Sequence, residues 1–203
     1  MQPAILILTG RRSKGMVNDN LIRPYLDGNE KLLWSGKPAH TPFLDKENRT
    51  VTIVKWILWF AASAICFYLS ISSQIRTGMA NSPVLYVCFI VIPILFILVP
   101  VFDYLRLRNK TFYGITDKRI VIINGKKDHP SRIIDTLDGI QTRKNEDGTA
   151  TLCFGKAACE SPAFSLRTAG VYGISDGVTG DERGLVFYHV NDYENAMKQI
   201  PQK

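Results

Sequence analysis

Ten basic side chains fall between residues 106 and 144: Arg106, Arg108, Lys110, Lys118, Arg119, Lys126, Lys127, Arg132, Arg143 and Lys144. The chemistry open to them is the pairing of cations with phosphate or other anionic headgroups, where each Lys or Arg beside an anionic leaflet contributes about 1 kcal/mol. Arg106, Arg108 and Lys110 directly follow an apolar run, and the same three residues serve equally as an ordinary topology signal. Lys126 and Lys127, in the turn-like stretch Asn124-Gly125-Lys126-Lys127-Asp128, are the second candidate for headgroup contact, with a solvated turn as the plain alternative. Residues 106–203 hold 15 basic and 12 acidic residues, a net of +3. That mild excess, interleaved with acids, does not form a nucleic-acid footprint.

Other chemistry finds little to stand on. His40, His129 and His189 are scattered, and no Ser/His/Asp or Cys/His arrangement, paired carboxylates or metal spacing is recognisable. Cys66, Cys88, Cys153 and Cys159 form no C-x-x-C pair and read as free thiols in a reducing compartment. The segment 156–183 is rich in glycine (Gly170, Gly173, Gly177, Gly180, with Gly184 just beyond), but no Gly-Lys-Ser/Thr follows, so it reads as a flexible surface loop and not a phosphate cradle. The expectation is a protein without enzymatic activity, cofactor or metal.

The elements that position these residues are of two kinds. The 203-residue chain carries a formal charge of +7, and its mean hydropathy near zero averages polar flanks with a very apolar middle. Residues 51–72 carry one charge, Lys55, close enough to the end to snorkel, and 84–102 carry none. A spanning helix needs about 20 mostly apolar residues, so two membrane helices are expected, at about 51–72 and 84–104, joined by a short link into an antiparallel hairpin. Trp56, Trp59, Tyr68, Tyr86 and Tyr104 fit interfacial belts. Pro93 and Pro100 are tolerable if neighbours satisfy the carbonyls they free. Basic residues crowd both flanks while the link offers only Arg76, which places both termini in the cytoplasm and the chain in the cytoplasmic (inner) membrane. The opening apolar run precedes Arg11-Arg12, the reverse of a secretory signal, and Met16 is an alternative start. The expected division is a cytoplasmic segment 1–50, a hairpin 51–105 and a cytoplasmic domain 106–203.

From Lys110 onward, short apolar runs alternate with turn residues. The stretches 111–115 and 119–124 flank a tight Thr116-Asp117-Lys118-Arg119 turn, in which the Asp117 carboxylate is expected to bond nearby backbone amides. Asp147-Gly148 marks a second hairpin, and 184–190 reads as a final strand. Asn191 and Glu194 stand at capping-box spacing ahead of a helix with Tyr193, Met197 and Ile200 on one face. The fold class expected is α+β: a two-helix transmembrane hairpin, then a small antiparallel barrel or sandwich closed by a C-terminal helix.

Two sets of residues carry a family resemblance. Gly28, Glu30, Trp34, Gly36 and Pro38 form a Gly-x-Glu, Trp-x-Gly-x-Pro opening just before the first apolar stretch; Tyr113, Thr116, Asp117 and Arg119 form a Tyr-x-x-Thr-Asp-x-Arg hairpin after the second. Together they resemble bacterial membrane proteins with a pleckstrin-homology-like (PH-like) domain, over about residues 26–200. The resemblance implies a PH-like barrel at the cytoplasmic face with no catalytic residue to transfer; the role expected for it is an interaction module that engages another membrane protein, a second copy or lipid headgroups. The alternative expectation is a sensor of anionic membrane lipids or envelope stress.

Overall fold

The structure, a computed structural model, describes residues 22–78, 82–125, 129–176 and 181–200. Lys126, Lys127, Gly177, Gly180 and the question of Met16 lie outside the described residues. Strand β1 (Leu32–Gly36) is followed by two long helices, α1 (Lys46–Thr77) and α2 (Pro83–Lys110). Both extend beyond the bounds read from hydropathy, because polar turns continue α1 at both ends and α2 at its C-terminal end. Asp45 caps α1, accepting the amide of Asn48 at 2.8 Å.

Both helices are long and apolar enough to cross a membrane, and almost none of their apolar surface is buried within the chain. Ile57, Leu58, Phe60, Tyr68, Ile90 and Leu95 are among the large exposed side chains. The helices pack antiparallel: Trp59 stacks on Phe96 at 4.0 Å between ring centres, and Phe67 meets Tyr86 edge-on. Pro93 lacks the N–H that would bond the carbonyl of Phe89, four residues back. Ser63 of α1 donates to that carbonyl at 2.7 Å, so the neighbouring helix supplies what proline removes.

A single residue, Thr111, joins α2 to β2 (Phe112–Thr116), and its hydroxyl closes the helix on the Arg106 carbonyl at 3.2 Å. The next strands are β3 (Arg119–Ile123), β4 (Ser131–Ile133), β5 (Ile140–Lys144) and β6 (Ala150–Phe154). Helices α3 (Lys156–Cys159) and α4 (Ala163–Tyr172), strands β7 (Ile174–Ser175) and β8 (Glu182–Val190), and helix α5 (Tyr193–Lys198) complete the order. They build two antiparallel four-stranded sheets, β1-β2-β3-β4 and β5-β6-β8-β7. Strand β1 precedes the helical hairpin and β2 follows it, yet Gly36 sits opposite Tyr113 in one sheet. The two ends of the hairpin therefore emerge at the same side, and the β unit includes part of segment 1–50.

Alternation along the strands sorts the cores. Leu152 and Phe154 of β6 with Leu185 and Phe187 of β8 point between the sheets, where Trp34, Tyr113, Ile115, Ile120 and Ile122 meet them. Phe187 stacks on Tyr113 at 4.5 Å and Phe154 packs edge-on against it. Ala196 and Ile200, with Tyr193 and Met197, close this core, as the helical face read from the sequence requires. The capping box does not form: α5 begins at Tyr193, and the Asn195 side chain donates to Asp192. Glu194 then falls too close to the helix start to reach back to Asn191.

The opposite faces of β6 and β8, carrying Cys153, Val186 and Tyr188, pack under α4 with Leu166, Ala169 and Val171, and Leu107 of α2 joins the same cluster. Part of the segment read as a surface loop, helix α4 above all, is thus packed between sheet and hairpin. Burial pushes the Cys153 thiol up to about 11, which leaves it protonated and unreactive at neutral pH.

At the start of β8, the Glu182 carboxylate has an enclosed oxygen without a partner among the described residues, and burial raises its pKa. A carboxyl raised in the fold contributes most below its unfolded value and loses that contribution as pH rises through the folded one. Glu182→Gln is therefore expected to raise Tm at pH 7 and leave it unchanged below about pH 4, measured by thermal melts across pH.

Candidate functional site

Three groups of polar residues come together around the β unit. The first unites the two halves of the sequence motif. A turn over residues 27–30, closed by the Glu30 amide on the Asp27 carbonyl at 2.8 Å, folds the Glu30 side chain inward until only 1 % of it is exposed. Arg119 grips it bidentately, Nε to Oε1 at 2.9 Å and Nη2 to Oε2 at 3.0 Å, and the Thr116 hydroxyl lies 2.7 Å from Oε1. Burial works to raise the Glu30 carboxyl, but the bonds from Arg119 and Thr116 prevail and hold it below the usual value. The hairpin turn itself is organised by Thr116, whose oxygen accepts the amides of Lys118 and Arg119. Asp117 does not bond within the turn as expected; it accepts the Lys31 amide at 3.0 Å, and its own amide donates to the Lys31 carbonyl. The turn residues fasten β1 to β2, and Arg119 is consumed in doing so.

The other motif residues have packing roles. Trp34 lies back over Gly36, where a Cβ would overlap its ring, and stacks on Phe187 at 5.8 Å. Pro38 is buried just beyond β1, and Gly28 occupies the exposed turn. The Tyr113 hydroxyl accepts the Tyr188 amide and donates to the Gly170 carbonyl, both at 3.1 Å, tying β2, β8 and α4 together.

The second group surrounds His189. Strand β8 carries one extra residue against β6 between Phe187 and Val190, and His189 takes a positive φ of 49° there, a conformation rare outside glycine that marks a bulge. The bulge turns the His189 carbonyl onto the Ala39 amide at 2.7 Å. Its ring Nδ1 meets Thr149 Oγ1 at 3.0 Å and Asp147 Oδ2 at 3.2 Å. Burial opposes the charge on Asp147, but bonds from Thr149 and His189 outweigh it and lower its pKa. A crevice of about 390 Å³ opens beside them, lined also by Asp45, Glu47 and Lys144. The geometry resembles an acid–base pair, yet His189 Nε2, the nitrogen a substrate would need, is enclosed and unbonded. Among the described residues no three His, Cys, Asp or Glu side chains converge as metal ligands. Nothing in the sequence pointed to this pair, because Asp147 and His189 are 42 residues apart.

Comparison with protein-family models, with curated proteins and with solved structures found no match.

The third group lies at the junction of hairpin and β unit. The Tyr188 hydroxyl donates to Asp45 Oδ2 at 2.6 Å and accepts Asn48 Nδ2 at 3.1 Å. Arg106, a candidate for headgroup contact, instead donates to the Tyr172 hydroxyl at 2.9 Å and lies over its ring. Arg108 and Lys110 are exposed at the base of α2. Thr168 of α4 donates to Asp103 Oδ2 at 3.1 Å. Between α1, α2 and α4 a crevice of about 180 Å³ is walled by Trp56, Trp59, Phe96 and Phe164, with Lys55, Asp103, Arg167 and Thr168 among its polar lining residues. Sequence reading missed Arg167, which is 3 % exposed, because an isolated arginine in a glycine-rich segment carries no periodic signal.

Proposed function

We propose that this chain is a non-enzymatic, membrane-anchored interaction module whose two-sheet unit is PH-like and is held by the hairpin against the cytoplasmic face of the membrane. The observation that carries the reading is the rigid junction. One residue separates α2 from β2, α4 is packed between sheet and hairpin, and Asp45, Asn48 and Tyr188 bond across the joint. A unit fixed in this way presents the same surface to its surroundings at all times, which suits docking better than a tethered domain would. The surface offered is β5, an edge strand exposed over most of its length, with Ile140 42 % accessible. Open edges are templates for an added strand.

Site-specific photocrosslinking in native membranes tests this. A crosslinker at Thr142 on β5 is expected to yield one discrete adduct, with another membrane protein or a second copy, that a crosslinker at exposed Asn195 on α5 does not give. Equal smears from both positions, or no adduct from Thr142, would remove β5 as the docking surface. The alternative role, sensing anionic lipid, draws its support from the junction crevice more than from the basic loops, since Arg106 and Arg119 are already bonded within the protein.

A further inference from the structure

We infer that the crevice between α1, α2 and α4 is a binding site for the phosphate of a membrane phospholipid, with the Arg167 guanidinium as its anchor. The inference rests on the hairpin being membrane-inserted. Arg167 is almost wholly buried, and among the described residues no carboxylate lies within ion-pair distance of it. Among the described residues it donates from Nη1 to the Phe43 carbonyl at 2.6 Å, lies 5.4 Å from the Phe43 ring centre and acts electrostatically on Tyr188. An isolated cation taken out of water is costly unless an anion compensates it.

The remaining polar groups of the crevice favour the same partner. Lys55 brings a second cation, seated 5.6 Å from the Phe164 ring centre. The Trp56 indole N–H is enclosed and has no acceptor among the described residues. Among the described residues Asp103 is the one acid in the lining, and it accepts the Thr168 hydroxyl. Lys55, the Arg167 guanidinium and the Trp56 N–H bring donors to the crevice, and a phosphate diester supplies acceptor oxygens only. The cavity holds about six waters' worth of volume, which suits a phosphate with part of its glycerol and not a whole lipid. Trp59, Phe96 and Val99 extend the lining on its apolar side, where exposed apolar helix surface continues for acyl chains to follow. Two cations against one acid leave the site net positive and favour an anionic headgroup over a zwitterionic one.

The test uses the full chain reconstituted in phosphatidylcholine vesicles. A small fraction of either phosphatidylglycerol or phosphatidylcholine with brominated chains is added, and quenching of tryptophan fluorescence is read. Trp56 and Trp59 report on the crevice, while Trp34 in the β core serves as a constant background. Brominated phosphatidylglycerol is expected to associate about tenfold more strongly than brominated phosphatidylcholine, the equivalent of one charged hydrogen bond. Arg167→Gln is expected to abolish the preference. Should that variant fail to fold, Lys55→Gln, at an exposed position, is expected to reduce it severalfold. Equal quenching by both lipids in the unaltered chain overturns the proposal. Displacement of phosphatidylglycerol by excess glycerol 3-phosphate would reassign the site to soluble phosphate and overturn its lipid assignment. Quenching by neither lipid would show that the hairpin is not in the bilayer, and the proposal would fall with that reading.

Discussion

Replacing Arg119 with alanine is expected to lower the unfolding free energy by about 3 kcal/mol, because it strands the Glu30 carboxylate inside the protein without its partner. The measurement is denaturant unfolding of the full chain in detergent, followed by circular dichroism. An exposed ion pair would cost at most about 1 kcal/mol, and a loss that small would show that the bidentate contact is incidental. The double variant Glu30→Gln with Arg119→Ala is expected to recover a large part of the loss, since it removes the buried charge as well as its partner. Acid gives an independent check. A carboxyl held below its usual value contributes stability that is present above the unfolded pKa, near 4.5, and is lost as pH falls through the lowered folded value. The gap between native and Arg119→Ala proteins should accordingly narrow as pH falls below about 4.5 and close once it has passed the lowered folded value.

Trp34→Ala is expected to cost about 3–5 kcal/mol, the usual range for emptying a buried tryptophan site. The indole is 8 % exposed, stacks on Phe187 and covers Gly36. Gly36→Ala tests the same arrangement from the other side: a methyl there meets the rigid ring and not the tip of a flexible chain, so about 1–3 kcal/mol of overpacking is expected. In the Trp34→Ala background the ring is gone, and Gly36→Ala should then be close to neutral. Two losses that simply add would contradict the stacked geometry, since contacting residues couple. Both substitutions act on a strand that precedes the hairpin, so each also asks whether β1 is needed by the sheet that follows it.

The local features were legible in the sequence because each depends on residues a few positions apart. The uninterrupted apolar runs became α1 and α2, and Asp147-Gly148 became a hairpin turn with Gly148 at a φ of 80°. The run 184–190 became strand β8. The Tyr193, Met197 and Ile200 face covered the core between the sheets. The motif residues were also visible as a set, although their reason was not: the Glu30–Arg119 contact spans 89 positions, a separation that no local pattern encodes.

The glycine-rich segment shows why the rest stayed hidden. Gly170 and Gly173 are loop signals by composition, yet Gly170 is needed where α4 crosses β8, since a Cβ there would lie 2.8 Å from that of Tyr188. The absence of a side chain permits close packing there. Pro162 starts α4 without a capping side chain, so the helix has little of its own to announce it and is held by Leu166 and Val171 in the junction core. The sequence by itself determined the two apolar helices, the strand-rich remainder and the closing helix, because propensity, turn chemistry and hydrophobic period act over one or two turns of chain. Only the tertiary structure decided that β1 joins the later sheet, that Arg119 faces Glu30 and that Arg167 is buried with no carboxylate in ion-pair distance among the described residues. Those outcomes depend on which distant surfaces are brought into contact when the chain closes on itself, and that is a property of the whole packing.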